Sequence, residues 1–376
     1  MRKITILVLH LGFGGVEQAV INQANILSKK YEVTIASIYK LDNSPAFAVD
    51  PKVQVEYLTN KKPNRDEFLF AIRKHNLIKV LKEGLNSVKI LYLKKHAIKK
   101  YITSCDSDIL ISSRIYITKL LSKYGKQCIK IAEEHRHHNN DQRYIKSLAK
   151  ACKEIDYLVC VSKELTNDYA KVLKNTKCVY IPNGLDYYPD KLSNLDGKRL
   201  ISVGRISPEK GQLDLIDVFK IIHDIDKDVT LDIIGDGVDR GKLEEKIDAL
   251  KLKKYVKLHG FQSRKYINSL LVKSSIFLMC SFEESFGTVL IEAASFGVPQ
   301  IAFSSAQGAK EIILDGVSGI IIENRNKNEM AQKTIELLNN PKRLKKMGIE
   351  SRRNVEQFKT EIIQEKWLNF LKEVIK

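Results

Sequence analysis

The stretch Arg199-Leu200-Ile201-Ser202-Val203-Gly204-Arg205-Ile206-Ser207-Pro208-Glu209-Lys210-Gly211 decides the fold. Its apolar opening suits a strand buried on both faces, and Gly204 and Pro208 then break the pattern into a polar turn. Arg205 and Lys210 stand five apart across that turn, and the proline disfavours a helix between them, so both cations can converge on one anion at the strand end. A diphosphate matches in size; two solvated surface cations are the plainer alternative. Working outward, a helical pattern runs from Leu213 to His223 and a strand from Val229 to Ile234. Further strands are expected at Val256–Leu258, Ile276–Met279, Val298–Phe303 and Gly319–Ile322, separated by helices. Alternation of this kind builds a doubly wound parallel sheet.

Toward the N-terminus the same grammar appears once more. Ile4–Leu9 is an apolar run, Val16–Lys29 a helical pattern, and Glu32–Ile38 a second β-rich run, which together make a βαβ unit. Asp108–Ser112, Cys128–Ala132 and Tyr157–Val161 continue it. Tyr180-Ile181-Pro182-Asn183-Gly184-Leu185-Asp186 and the polar stretch after it read as a boundary. The expected division is therefore residues 1–182 and 183–359, with a C-terminal helix over about 360–376 crossing back to the first domain. A length of 376 residues suits two such domains, and 44% hydrophobic residues suit packed cores.

Six cysteines without a C-x-x-C pair suggest neither a zinc site nor a disulfide framework, and a reducing cytosol fits. The apolar runs are strand-sized, far short of a membrane span, and the N-terminal run reads as a first strand and not a signal peptide. Charge is uneven. The chain carries 63 Lys and Arg against 45 Asp and Glu, and the first half holds nearly all of the +18 excess. Residues 61–100 are the most basic segment, which points to an anionic partner or simply to a lysine-rich solvated surface. Phe70, Leu77, Leu81, Val88 and Leu91 fall near one helical face there, and Gly84 is expected to divide the segment into two helices. That stripe either docks on an anionic membrane or packs on its own domain.

Three more constellations sit just after predicted strands, where a cleft between two such domains binds ligand. Gly12-Phe13-Gly14-Gly15 lets a backbone approach a phosphate at a helix start, although a tight turn needs glycine anyway. Glu284-Ser285-Phe286-Gly287-Thr288 follows the strand ending at Cys280 and opens a helix whose first N–H groups would face an anion. Glu292, read as two turns into that helix, needs a partner, either sugar hydroxyls or a structural salt bridge. Glu133-Glu134-His135-Arg136-His137-His138 follows the strand Ile129–Ala132. Adjacent histidines rarely converge on a metal, so no metal is expected; one histidine, with His135 the nearest to the strand end, is expected to meet a ligand, and a plain surface loop is the alternative.

Gly204 to Gly211 as G-R-x-x-x-x-K-G, joined with Glu284 to Glu292 as E-x7-E and followed by Ala-Ser-Phe-Gly-Val-Pro, resembles the retaining family 4 glycosyltransferases of the GT-B fold. Cys160-Val161-Ser162 and the Pro182-Asn183-Gly184 turn agree with the same family. The resemblance implies two Rossmann-like domains facing each other across a cleft, a nucleotide-sugar donor, UDP foremost, and no metal or other cofactor. It implies that Arg205 and Lys210 bind the donor diphosphate, that Glu292 holds the ribose, and that Glu284 contacts the transferred sugar. Gly204, Phe286, Gly287 and Thr288 belong with that donor site; Gly14 and Gly15 match the glycines that approach the diphosphate from the first domain, and His135 matches a histidine near the sugar. Ser285 stands where the family more often has glycine, and His137 and His138 crowd His135. A hexosyltransferase building polysaccharide or glycolipid on the inner face of a bacterial membrane follows, with a glycan or lipid-linked acceptor. A GT-B epimerase or phosphorylase is the neighbouring alternative. A basic nucleic-acid-binding protein is the alternative from another class, disfavoured because no RNA-binding aromatic motif is present.

Overall fold

The computed structural model describes residues 1–41, 45–185 and 187–375, so Asp186 of the expected boundary and Lys376 of the expected last helix lie outside the described residues. The chain divides into two compact units, Met1–Ile181 with Gln364–Lys376, and Pro182–Ile363.

Unit 1 is built on seven strands: β1 (Lys3–Val8), β2 (Glu32–Tyr39), β3 (Gln54–Thr59), β4 (Ile109–Ser112), β5 (Ile129–Glu134), β6 (Tyr157–Cys160) and β7 (Lys177–Tyr180). They pair in parallel in the order β3-β2-β1-β4-β5-β6-β7. The order reverses between β1 and β4, and the loops leaving these strands and β5 carry the unit's polar cluster, as expected at a switch point. The central strands are solid hydrophobic runs, with Ile6, Leu7, Ile35, Ile111 and Ile131 fully buried. β3 and β7, absent from the sequence reading, are the two edges. Edge strands are half solvated, so they lack the apolar run that marks the central ones.

This unit departs from the sequence reading in two places. β5 continues two residues past Ala132, which puts Glu133 and Glu134 inside the strand and not in the loop after it. The basic segment forms helices Arg65–Arg73 and Leu77–Ser104, broken not at Gly84 but at His75, which takes a left-handed φ of 49°. Asn76 caps the second helix by accepting from the Lys79 N–H at 2.9 Å. That helix buries Ile90, Ile98 and Ile102 and leaves Leu77, Leu81, Leu85, Val88 and Tyr92 exposed. Among the described residues no helix is long and apolar enough to cross a membrane. The last helix, Thr360–Val374, belongs to unit 1 from Gln364 onward, where Phe370 meets Tyr157 edge-on at 5.3 Å.

Unit 2 has six strands: β8 (Arg199–Val203), β9 (Thr230–Ile234), β10 (Val256–Leu258), β11 (Ile276–Met279), β12 (Gln300–Phe303) and β13 (Gly319–Ile322). All pair in parallel in the order β10-β9-β8-β11-β12-β13. Its core joins Leu200, Phe219, Leu231, Ile276 and Phe303. The order reverses between β8 and β11, whose register pairs Ile276 with Leu200 and Phe277 with Ile201. The segments leaving these two strands, 204–211 and 280–287, therefore run side by side.

Gly211 makes that approach sterically allowed. It sits at φ 66°, and a Cβ there would lie 2.1 Å from the Cys280 carbonyl oxygen. Gly211→Ala is expected to destabilise the chain by at least about 2 kcal/mol, because the left-handed conformation and the backbone clash add. A lowered urea midpoint for this variant, against an unchanged or raised one for Gly241→Ala, a helical position where a Cβ meets nothing, checks the account.

Candidate functional site

In unit 2 the loop after β8 is stitched to the loop after β11. Pro208–Lys210 forms one tight helical turn, and the Glu209 carbonyl accepts from the Phe282 N–H at 2.8 Å and the Glu283 N–H at 3.3 Å. The Gln212 amide donates to the Arg205 carbonyl at 2.8 Å, which fixes the Gly204-Arg205 turn against the helix Gln212–Ile225. On this frame the Lys210 ammonium lies 2.6 Å from a carboxylate oxygen of Glu284, both groups mostly buried. Arg205 is exposed in the same turn. Burial pushes the Glu209 carboxyl up, but the Ser207 hydroxyl and its own backbone, with Arg205 and Lys210, outweigh burial and hold it below the usual range. The turn is thus electropositive enough to act at a distance on a neighbouring carboxylate.

Glu284 is anchored through its backbone, whose carbonyl accepts from the Gly308 N–H at 2.8 Å. Phe286 is only 2% exposed, its ring edge-on to Phe358 at 5.4 Å, so the side chain serves the core and only its backbone can face a ligand. Gly287 follows at φ 90°, and Thr288 opens the helix Thr288–Ser295, whose first-turn N–H groups lack helical partners. Glu292 is the fifth residue of that helix, one turn in and not two. Its carboxylate is paired with the Arg264 guanidinium, the salt-bridge alternative left open by the sequence.

In unit 1 Gly14 caps the helix Gly15–Leu27. A Cβ at Gly14 would lie 2.0 Å from a Glu17 oxygen, whereas one at Gly15 would meet nothing. A side chain at Gly14 would displace the Glu17 carboxylate, whereas one at Gly15 would displace nothing. Glu17 is 2% exposed and pairs with Arg114 at 2.6 Å, the loop after β4 thereby holding the turn after β1. Burial lowers the basicity of the adjacent His10, Glu17 opposes that shift and Arg114 adds to it. After β5 the three histidines separate. His137 and His138 are buried, with His138 facing Asp168 at 3.3 Å and Tyr169 edge-on. Burial, with His137 beside it, lowers the basicity of His138. His135 alone stays at the strand end, its Nε2 3.2 Å from the Glu133 carboxylate. Among the described residues no three His, Cys, Asp or Glu are grouped to hold a metal.

Glu17, Arg114, Arg264 and Arg325 are absent from the sequence reading. Glu17 carried one usable signal, an acid in the first turn of a helix beginning at a glycine pair. The arginines lie far along the chain from their partners and carry none. Arg325 ties the unit 2 loops together: it pairs with Asp214 at 2.6 Å, donates to the carbonyls of Cys280 at 2.9 Å and Ser281 at 3.0 Å, and stacks on Phe282. Burial raises the Asp214 carboxyl, but Lys327 and Arg325 hold it below its usual range. That contribution is present above about pH 4 and is lost as pH falls through the lowered value.

Residues 187–354 match the family model for glycosyl transferases group 1. The chain is 28% identical to a Haemophilus influenzae protein named an uncharacterized glycosyltransferase, over 99% of this chain and all of the relative. It is 26% identical, over 100% of this chain and 99% of the relative, to a Campylobacter jejuni α-1,4-N-acetyl-D-galactosaminyltransferase named for a diphosphoundecaprenol-linked acceptor. Among solved structures it superposes on a mutant of Staphylococcus aureus TarM, in complex with fondaparinux, α-GlcNAc-glycerol and UDP, with a TM-score of 0.80 at 17% identity, covering 98% of this chain and 99% of that one. The fold is GT-B, and these likenesses support a glycosyltransferase with relatives in bacterial glycan assembly. An epimerase or phosphorylase is not favoured.

Arg325→Ala is expected to lower unfolding free energy by about 2–4 kcal/mol, because two carbonyls lose their donor and Asp214 keeps only Lys327. Urea unfolding at pH 7 measures the loss, and at pH 3 the difference from wild type shrinks.

Proposed function

We propose that the chain moves a hexosyl group from a UDP-sugar to a hydroxyl of a glycan or lipid-linked acceptor, with retention of anomeric configuration, in bacterial surface polysaccharide or glycolipid assembly. The observation that carries this reading is the Lys210–Glu284 pair in a turn whose exposed Arg205 acts with Lys210 on the Glu209 carboxylate. An ammonium parked on a carboxylate at a strand end is a cation held ready for exchange. When the donor binds, Lys210 and Arg205 take the diphosphate, and Glu284 is released to accept hydrogen bonds from hydroxyls of the transferred sugar. Negative charge builds on the diphosphate as the glycosidic bond breaks. Two fixed cations and the N–H groups around Phe286, Gly287 and Thr288 stabilise it more in the transition state than in the ground state. The proposal needs no metal or other cofactor.

In unit 2, Gly204 allows the backbone its approach and Glu292 holds the ribose with Arg264 steadying its carboxylate; unit 1, taken by itself, offers the Gly14 and Gly15 backbone to a phosphate and the His135 ring to a sugar hydroxyl. The UDP in the TarM structure and the lipid-linked acceptor in the Campylobacter relative's name support the donor and acceptor classes. Arg205→Ala and Lys210→Ala are each expected to cost about 2–4 kcal/mol of transition-state stabilisation, a fall of roughly 30- to 1,000-fold in kcat/KM. Glu292→Gln should weaken binding of free UDP, whereas Glu284→Gln should spare UDP and impair transfer. Transfer assays in excess EDTA and UDP titrations check these; turnover by the Arg205 and Lys210 variants within a few-fold of wild type overturns the reading.

We further propose that helix Leu77–Ser104 docks unit 1 on the anionic inner face of the plasma membrane. Its row of five large exposed apolar side chains is not packed on the unit's own core, contrary to the commoner fate of such a stripe. Seven lysines and only one acid, Glu83, lie in the helix, so pairing two copies along the row would set lysine against lysine. Anionic headgroups satisfy the same charge at about 1 kcal/mol per cation. Lys94 and Lys99 are engaged over the Tyr116 and Tyr124 rings, which leaves Lys79, Lys82, Lys89, Lys95 and Lys100; the first three lie along the exposed row and are the informative positions. Sedimentation with phosphatidylglycerol liposomes should bind the protein at low salt, fade at high salt, and fail for the Lys79→Glu, Lys82→Glu, Lys89→Glu triple variant. No binding to anionic liposomes at low salt overturns the proposal.

A further inference from the structure

Two consecutive residues of β5, Glu133 and Glu134, are buried acids at 6% and 4% exposure, and a central strand rarely tolerates even one. Alternation along a strand sends them to opposite faces of the sheet, so each needs its own partners. Glu134 has them: the Tyr144 hydroxyl at 2.9 Å and the Arg136 N–H at 2.7 Å, while burial still raises its carboxyl above the ordinary range. It is fully explained as a structural acid that locks the loop after β5 to the helix Gln142–Ala151.

Glu133 differs. Its Oε1 accepts from the Gln23 amide at 2.6 Å, and Gln23 is itself buried on the helix Gly15–Leu27. Its Oε2 faces the Nε2 of His135 at 3.2 Å. No cation is needed to explain this carboxylate if it serves the imidazole, and an ionised carboxylate only accepts, so the proton between them sits on Nε2. The lone pair of His135 is then on Nδ1, an atom screened from water and without a hydrogen-bond partner among the described residues. A fixed ring with one orphaned acceptor is matched to a hydroxyl donor. Histidines that bind metals or carry protons are oriented in the same way, by a carboxylate on the far nitrogen.

We propose that Glu133, held by Gln23, is a positioning residue that fixes the His135 ring and its Nε2–H tautomer so that Nδ1 accepts a hydrogen bond from a hydroxyl of the sugar substrate. The inference rests on the glycosyltransferase reading of His135 and adds to it the tautomer, the accepting atom and the two side chains that set them. Gln23 lies 110 residues from Glu133 in the chain and joins the helix after β1 to the end of β5.

Nitrogen-15 NMR of the histidine rings in the whole chain, read together with transfer kinetics, tests it. In the wild type His135 should show the Nε2–H tautomer. Glu133→Gln, which can donate to the ring as well as accept, should mix the tautomers and lower kcat at least 10-fold, with UDP affinity within about 3-fold of wild type. Glu133→Asp should recover part of kcat. Should Glu133→Gln fail to fold, Gln23→Met, which removes only the amide that steadies Glu133, carries the same test with a smaller loss. An unchanged tautomer and kcat in these variants, while His135→Ala loses activity, overturns the positioning role and leaves the enzyme reading intact. Full turnover by His135→Ala overturns both this proposal and the sugar contact, whereas the Arg205 and Lys210 variants still judge the transferase itself.

Discussion

Unit 2 depends on one close approach, that of the Gly211 backbone to the carbonyl of Cys280. Any side chain at 211 would occupy the space of that oxygen. Because none is there, the turn 204–211 lies directly on the segment 280–284, the Glu209 carbonyl can accept two N–H groups from it, and Lys210 reaches Glu284. Arg325 then clamps the same junction from the far side through Asp214 and two carbonyls. An ion pair between a half-buried lysine and glutamate is worth little to stability in itself, since desolvation offsets most of its attraction. Under the proposed function the pair sets a cation and an acceptor side by side before any ligand arrives.

Unit 1 shows the complementary arrangement. Its switch point carries buried carboxylates, Glu17 and Glu133, each neutralised or steadied by one long-range partner, Arg114 and Gln23. Both pairs start from the helix Gly15–Leu27, one reaching the loop after β4 and the other the end of β5, so they fix the positions of Gly14 and His135 relative to one another within the unit. Buried charge with single, well-directed partners is the pattern expected where geometry is worth more than stability. The electropositive helix Leu77–Ser104 is a separate feature, on the surface and distant in sequence from these loops.

Much of this was legible in the residues. Strands of a parallel sheet are short apolar runs, so β1, β2, β4, β5, β6, β8, β9, β10, β11, β12 and β13 announced themselves, and glycine and proline marked the turns between them. The unit 1 edges β3 and β7 did not, because neither has a fully buried residue and polar side chains interrupt their apolar ones. The site's sequential motifs, Arg205 with Lys210 and Glu284 with Glu292, were visible because the chain presents them at short spacing. Their actual partners were not: Lys210 meets Glu284 across 74 residues, and Glu292 meets Arg264, a pairing with no local trace. Which of three adjacent histidines is left at the strand end also required the fold, since burial of His137 and His138 depends on the helix Lys163–Val172 packing beneath them. The stripe on Leu77–Ser104 was readable as a face; that it is exposed was not.

A structure of the protein with UDP bound tests the central claim most directly. The account predicts the diphosphate within hydrogen-bond distance of the Arg205 guanidinium and the Lys210 ammonium, with Lys210 turned away from Glu284 and the ribose hydroxyls on Glu292. UDP bound elsewhere, or bound with the Lys210–Glu284 pair still closed at 2.6 Å, would contradict it.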